Sequence, residues 1–147
     1  RTARNGIHGQ EELDGLLAAS DWVVCAAPLT EETRGLFDAG RFARMRESAY
    51  FVNIGRGAHV VEADLAEALA AGRIAGAALD VFAEEPLPAT SPLWEAPGLV
   101  VSPHMSGDTV GWRDELGAQF LELYALWEAG RPLRNVVDKE RGYVPGA

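Results

Sequence analysis

Four short runs of Val, Ile, Leu and Ala, separated by stretches of helical periodicity, constrain this chain more than any other feature. Trp22 to Ala26, Tyr50 to Ile54, Ile74 to Leu79 and Leu99 to Ser102 are apolar without the polar alternation of a strand that has one wet face. Runs of this kind read as strands of a parallel sheet joined by crossover helices. The expected class is α/β, with both faces of the sheet covered.

The intervening segments carry apolar residues at helical spacing. Glu11 to Ala19 has Leu13, Leu16 and Leu17, Asp38 to Arg46 has Phe42 and Met45, and Glu62 to Ala71 has Leu65 and Leu69. Gly72 supplies a C-terminal stop for the third helix, whereas Val61 is a poor capping residue at its start. The longest pattern, Thr109 to Ala129, places Leu116, Phe120, Leu123 and Trp127 on one stripe, with Asp108 as the expected cap and Gly130 and Pro132 as a double stop. A helix of about 21 residues spans roughly 30 Å, enough to cross between domains. The polar tail after Pro132 is expected to lie along a surface.

Charge and cysteine content narrow the function classes. The chain has 147 residues with 13 Lys+Arg against 22 Asp+Glu, a formal charge of −9. Phosphate backbones and anionic lipid repel such a chain, and no local basic patch offsets this, so neither nucleic acid nor a membrane surface is an expected partner. The single cysteine, Cys25, cannot form an internal disulfide or a zinc cluster, and its Val24 and Ala26 neighbours suit a small buried residue in a reducing interior. No run of about 18 apolar residues occurs, and the N-terminus lacks an apolar signal region, so the expected location is the cytoplasm.

In an open parallel sheet, ligands collect beyond the carboxyl ends of the strands. Here the second strand runs into Asn53-Ile54-Gly55-Arg56-Gly57, the third into Asp80-Val81-Phe82-Ala83-Glu84-Glu85-Pro86, and the fourth into Ser102-Pro103-His104-Met105-Ser106-Gly107. Each has an ordinary explanation: a glycine turn with a solvated arginine, a surface glutamate before proline, a satisfied loop histidine. Three unrelated turns would have no reason to display a guanidinium, a carboxylate and an imidazole on one edge of one sheet.

These segments, together with Ala27-Pro28-Leu29-Thr30, Glu32-Thr33, Gly76-Ala77-Ala78-Leu79-Asp80-Val81-Phe82 and the closing Pro132-Leu133-Arg134-Asn135-Val136-Val137, resemble the D-isomer-specific 2-hydroxyacid dehydrogenases in order and spacing along the whole chain. The resemblance implies a partial doubly wound parallel sheet of the Rossmann type with a long C-terminal helix. It implies residues 1–108 as the second half of a dinucleotide-binding domain, and 109–147 as a helix and tail returning toward a substrate domain. Its catalytic residues fall on Arg56, which grips the substrate carboxylate, His104, the proton donor or acceptor, and Glu85, the partner of that histidine. Its cofactor contacts fall on Ala27, Pro28, Thr33, Ile54, Gly55, Arg56, Asp80, His104 and Gly107. The cofactor is NAD or NADP, the substrate a small 2-oxo or 2-hydroxy acid, and the full-length protein a homodimer. No metal is implied.

The chemistry agrees with those roles. A planar guanidinium holds a carboxylate by a two-pronged fork, which a lysine point charge does less well. A carboxylate beside an imidazole favours its charged form, which can protonate a developing alkoxide. Arg1, Thr2 and Arg4 fall where the family's second strand ends, beside the adenosine ribose, and cations there suit a 2′-phosphate.

One family motif is absent. The glycine-rich loop that cradles a pyrophosphate needs G-x-G-x-x-G between a strand and a helix; Gly55-Arg56-Gly57-Ala58-His59-Val60 lacks the last glycine, and no helix is expected directly after it. The chain is therefore expected to be the C-terminal part of a longer enzyme. Two other readings stay open: a non-enzymatic dinucleotide-binding regulator of the same fold, like the corepressors that resemble these enzymes, and a formate-dehydrogenase-like enzyme, against which Glu85 argues because that group pairs its histidine with glutamine. On the fragment reading, the isolated 147-residue chain should bind NADH or NADPH weakly in a fluorescence titration; submicromolar affinity would contradict it.

Overall fold

The computed structural model describes residues 9–144. The chain divides into two compact units, residues 1–104 and 105–147. The first holds a four-stranded, all-parallel sheet: β1 (Trp22–Cys25), β2 (Tyr50–Asn53), β3 (Gly76–Leu79) and β4 (Leu99–Val101), paired in that order. Each of the four strands lies within its expected run. Ile74, expected to begin the third strand, instead packs into the core two residues ahead of it at 3% exposure.

Helices α1 (Leu13–Ala19), α2 (Ala39–Phe42) and α3 (Glu62–Ala70) fill the crossovers. Asp38 caps α2 by accepting the Arg41 N–H at 3.0 Å. Val61 gives α3 no side-chain cap, as its type implies. Gly72, at φ +64°, ends α3: its N–H donates to Leu69 O, and Arg73 N–H reaches back to Ala68 O.

Register places Val23, Phe51, Ala77 and Leu99 in one row across the sheet, and Cys25, Asn53, Leu79 and Val101 in a second row on the same face. Leu17 of α1, Phe42 of α2, and Leu65, Ala68 and Leu69 of α3 pack against that face around Phe51, with the Phe37 ring tilted against it at 4.6 Å between centroids. The opposite face does not match the expectation of two covered sides. Trp22 (64%), Val24 (57%) and Val100 (64%) are exposed there, with Trp22 stacked on Tyr50. The reason is topological. With strands added always in one direction, right-handed crossovers put every helix on the same side.

The second unit holds α4 (Trp112–Glu128), whose 17 residues make it shorter than the spacing implied. Asp108 is not its cap. Asp108 N–H closes a turn on Met105 O, and the helix starts after Gly111, whose φ of +83° sets the chain direction. Gly130, at φ +62°, ends the helix as expected. Leu116, Phe120 and Trp127 are exposed, and the tail returns to α4 through an Arg134–Glu122 ion pair. Among the described residues, no helix is long and apolar enough to cross a membrane.

Removing the Phe51 ring should cost about 3–5 kcal/mol, because it is fully buried with the Phe37 and Phe42 rings against it. Val100→Ala, on the open face, should change stability by about 0.5 kcal/mol or less. Urea unfolding of the two variants checks the difference.

Candidate active site

The carboxyl ends of the strands form one rim. Beyond β1, Thr33 organises the loop: its Oγ1 donates to Pro28 O at 2.9 Å and accepts the Thr30 N–H at 2.8 Å. Ile54 N–H bonds to Cys25 O at 3.0 Å, which extends the β1–β2 ladder and sets the two loops side by side. Burial pushes the Cys25 thiol above its ordinary pKa, the behaviour of an inert core residue rather than a nucleophile.

At the end of β2, Asn53 is fully buried and spends its amide on the turn it starts. Its Oδ1 accepts the Gly55 N–H at 3.1 Å, and its Nδ2 donates to Arg56 O at 3.0 Å. A single 3-10 turn, Gly57–His59, follows directly, where no helix was expected. Arg56 is exposed, with one guanidinium N–H on Gly55 O at 2.7 Å. Gly57 is obligatory by space: a Cβ there would sit 1.8 Å from the Phe82 carbonyl carbon. The arginine loop and the loop after β3 are therefore in backbone contact.

That second loop carries the carboxylates. Asp80 is buried at 4% exposure and accepts the Ser102 hydroxyl at 2.5 Å, across the ends of β3 and β4. Glu85 Oε1 accepts the Phe82 N–H at 2.9 Å, and Oε2 lies 2.7 Å from His104 Nδ1. Glu62, at the start of α3, accepts the Ala83 N–H at 2.6 Å and fixes the loop from below. His104 stands at φ +53°, a left-handed backbone that turns its ring toward Glu85 just after Pro103.

The bond to His104 is the main cause holding the Glu85 carboxyl below its ordinary range, and the Phe82 N–H adds to it. Burial and the Asp80 charge oppose this and lose. An ionised Glu85 fixes a proton on Nδ1 of His104 and leaves Nε2 as the nitrogen for proton exchange. Beside this pair opens a cavity of about 610 Å³ with mostly apolar walls, among them Phe82, Leu87, Trp94 and Pro103. Trp94 lines that cavity and donates its indole N–H to Pro88 O.

The structure thus brings Glu85 and His104 into contact, and places Ala27, Pro28, Thr33, Ile54, Gly55, Arg56 and Asp80 on the loops of the same rim. Gly107 lies in an exposed turn of the second unit. Arg1, Thr2 and Arg4 lie outside the described residues. Three residues with no role assigned from sequence emerge: Asn53, Ser102 and the fully buried His59, whose ring touches both Arg56 and Pro28 O. An Asn two residues before a glycine at a strand end is a legible turn signal. For His59, the only signal is its position three residues after Arg56. Among the described residues, no group of three His, Cys, Asp or Glu side chains could hold a metal ion.

The carboxyl rim of the parallel sheet thus carries an imidazole–carboxylate pair and an arginine. The chain belongs to the D-isomer specific 2-hydroxyacid dehydrogenase family: residues 1–106 match that family's NAD binding domain. It is 38% identical over 135 residues to glyoxylate/hydroxypyruvate reductase A of Yersinia enterocolitica, covering 92% of this chain and 42% of that protein. It is 49% identical over 129 residues to glyoxylate/hydroxypyruvate reductase B of Citrobacter koseri, covering 88% of this chain and 40% of that one. The chain spans less than half the length of these curated relatives.

Among solved structures, it superposes with a TM-score of 0.85 and 44% identity on a D-isomer specific 2-hydroxyacid dehydrogenase from Xanthobacter autotrophicus in complex with NADPH and MES, covering 97% of this chain and 60% of that one. An NADPH-dependent glyoxylate/hydroxypyruvate reductase from Sinorhizobium meliloti, in complex with NADP and sulfate, gives 0.84 and 37%, covering 97% of this chain and 47% of that one.

The lowered Glu85 pKa has a stability consequence with a definite sign. The native state binds fewer protons at Glu85 than the unfolded chain, so the contribution is full above the ordinary value of 4.5 and is lost as pH falls through the lowered one. Thermal unfolding of the wild type and Glu85→Gln should differ most near neutral pH and converge in acid. A gap that widens on acidification would contradict the assignment.

Proposed function

We propose that this chain is the catalytic second half of the nucleotide-binding domain of an NAD(P)-dependent reductase of small 2-oxo acids, of the D-2-hydroxyacid type. Residues 1–108 form that half-domain, and 109–147 return toward a substrate domain. The observation that carries this reading is the 2.7 Å contact between Glu85 Oε2 and His104 Nδ1, on the rim that also bears Arg56.

The rim suits a nicotinamide cofactor. Ile54 is an exposed apolar side chain at the end of β2, able to lie against a flat ring, and Asp80 offers a carboxylate held by Ser102 to a carboxamide N–H. When bound, the cofactor supplies a hydride to C2 of the 2-oxo acid or removes it in the reverse direction. Arg56 holds the substrate carboxylate through its fork and draws charge from the neighbouring carbonyl. His104 Nε2 gives a proton to the carbonyl oxygen as it becomes an alkoxide, and Glu85 stabilises the charged ring before that transfer. In oxidation the same nitrogen takes the hydroxyl proton.

Glyoxylate and hydroxypyruvate are the substrates to try first, because the relatives above are named for them. NADPH is the first cofactor to try, given the solved neighbours that carry it, with Arg1 and Thr2 as the candidate 2′-phosphate contacts. A cytoplasmic location fits a chain whose one cysteine is a buried free thiol. A homodimer of the full-length protein is part of the same reading, and neither nucleic acid nor membrane enters it.

In steady-state assays of the full-length protein against a panel of 2-oxo acids with NADH and NADPH, His104→Ala and Arg56→Ala should each lower kcat/KM by about 10² or more. Absence of turnover of any 2-oxo acid by the wild type would favour a regulator of the same fold instead.

A further inference from the structure

His59 is completely buried, yet its ring sits among polar backbone atoms rather than in the apolar core. Nδ1 lies 3.0 Å from Arg56 N and 2.9 Å from Arg56 O, and Nε2 lies 3.3 Å from Pro28 O. A carbonyl oxygen can only accept, so contact with Pro28 O requires the ring proton on Nε2. Nδ1 is then a bare acceptor, which matches the Arg56 N–H. Arg56 O does not need the ring, because it already accepts from Asn53 Nδ2 and from His59 N–H. With the proton on Nδ1 instead, the Arg56 N–H would face another N–H, and Nε2 would face the Pro28 carbonyl lone pairs, both costly in a buried site. The Nε2–H tautomer serves both the Arg56 N–H and Pro28 O; its one cost is the bare Nδ1 beside Arg56 O, an oxygen already supplied with two N–H donors.

This is half of a capping box: a side chain at the third position of a turn reaches back to the N–H of the residue that starts it. Here the residue that starts the turn is the arginine. Through Nε2 the same ring ties that turn to the loop after β1, and Gly55 leaves room for it, since a Cβ there would come within 3.0 Å of the His59 ring.

We propose that His59, as its Nε2–H tautomer, is a positioning residue that sets the Arg56 backbone, and hence the direction of its guanidinium, relative to the Pro28 loop. The proposal rests on Arg56 being the carboxylate clamp. It places His59 outside the chemistry: the ring neither touches substrate nor exchanges its proton during turnover.

The test uses the full-length enzyme with glyoxylate and NADPH, and the variants His59→Leu, His59→Asn and Arg56→Ala. His59→Leu should raise KM for glyoxylate about tenfold while KM for NADPH changes by about twofold or less, the pattern of a lost binding contact. His59→Asn, whose Oδ1 can take the place of Nδ1 as acceptor, should recover most of that loss. Equal losses in His59→Leu and His59→Asn, with Arg56→Ala still raising KM, overturn the positioning role alone. An unchanged KM in Arg56→Ala overturns the clamp and the positioning role together. Should the variants fail to fold, long-range 15N NMR of the wild type decides: a proton on Nε2 of His59 is required, and a proton on Nδ1 overturns the proposal.

Discussion

The handedness of the crossovers governs this molecule. The four strands pair in sequence order and all run parallel, and crossovers of one hand between strands so ordered carry their helices on one side. Two results follow from that single constraint. The carboxyl ends of all strands fall on one rim, where loops distant in sequence meet, and one face of the sheet is left open with Trp22, Val24 and Val100 outward.

Burial is sorted along the strands in a way that serves the rim. Toward their starts and middles the inward positions are apolar, with Phe51 and Ala77 under the helices. Polar burial is confined to the rim: Asn53, His59 and Asp80 are the described buried polar residues, and all three lie at or beyond the ends of β2 and β3. Asn53 is satisfied within the turn it starts, His59 by that turn and the Pro28 loop, and Asp80 by Ser102 of the next loop, which removes the penalty of unpaired buried groups and converts it into fixed geometry. The exposed groups, Arg56 and the Glu85–His104 pair, are mounted on this buried polar layer. Rigid support beneath, and reactive atoms above, is the pattern that preorganised sites require.

Much of this was legible in the sequence. The four apolar runs mark four strands, Gly72 marks the end of α3, and the three rim segments mark the loops that carry Arg56, Glu85 and His104. What was not legible has physical causes. Strand runs report burial but not which side supplies it, so the open face stayed hidden until the strand order was known. The 3-10 turn at Gly57–His59 is too short for a period to show. Asp108 has the right chemistry for a cap, but the left-handed Gly111 three residues later moves the helix start beyond it. His59 and Trp94 look like ordinary core and packing residues, because only the fold sets one against Arg56 and the other against the cavity.

The missing Cβ at Gly57 couples two loops that sequence separates by some two dozen positions. Two peptide planes meet there with no side chain between them to act as a cushion, so neither loop has slack to drift alone. The guanidinium support thus rests directly on the loop that carries Glu85. Bulk at this seam would part the anion grip from the carboxylate that braces the proton donor, even with every reactive side chain still present.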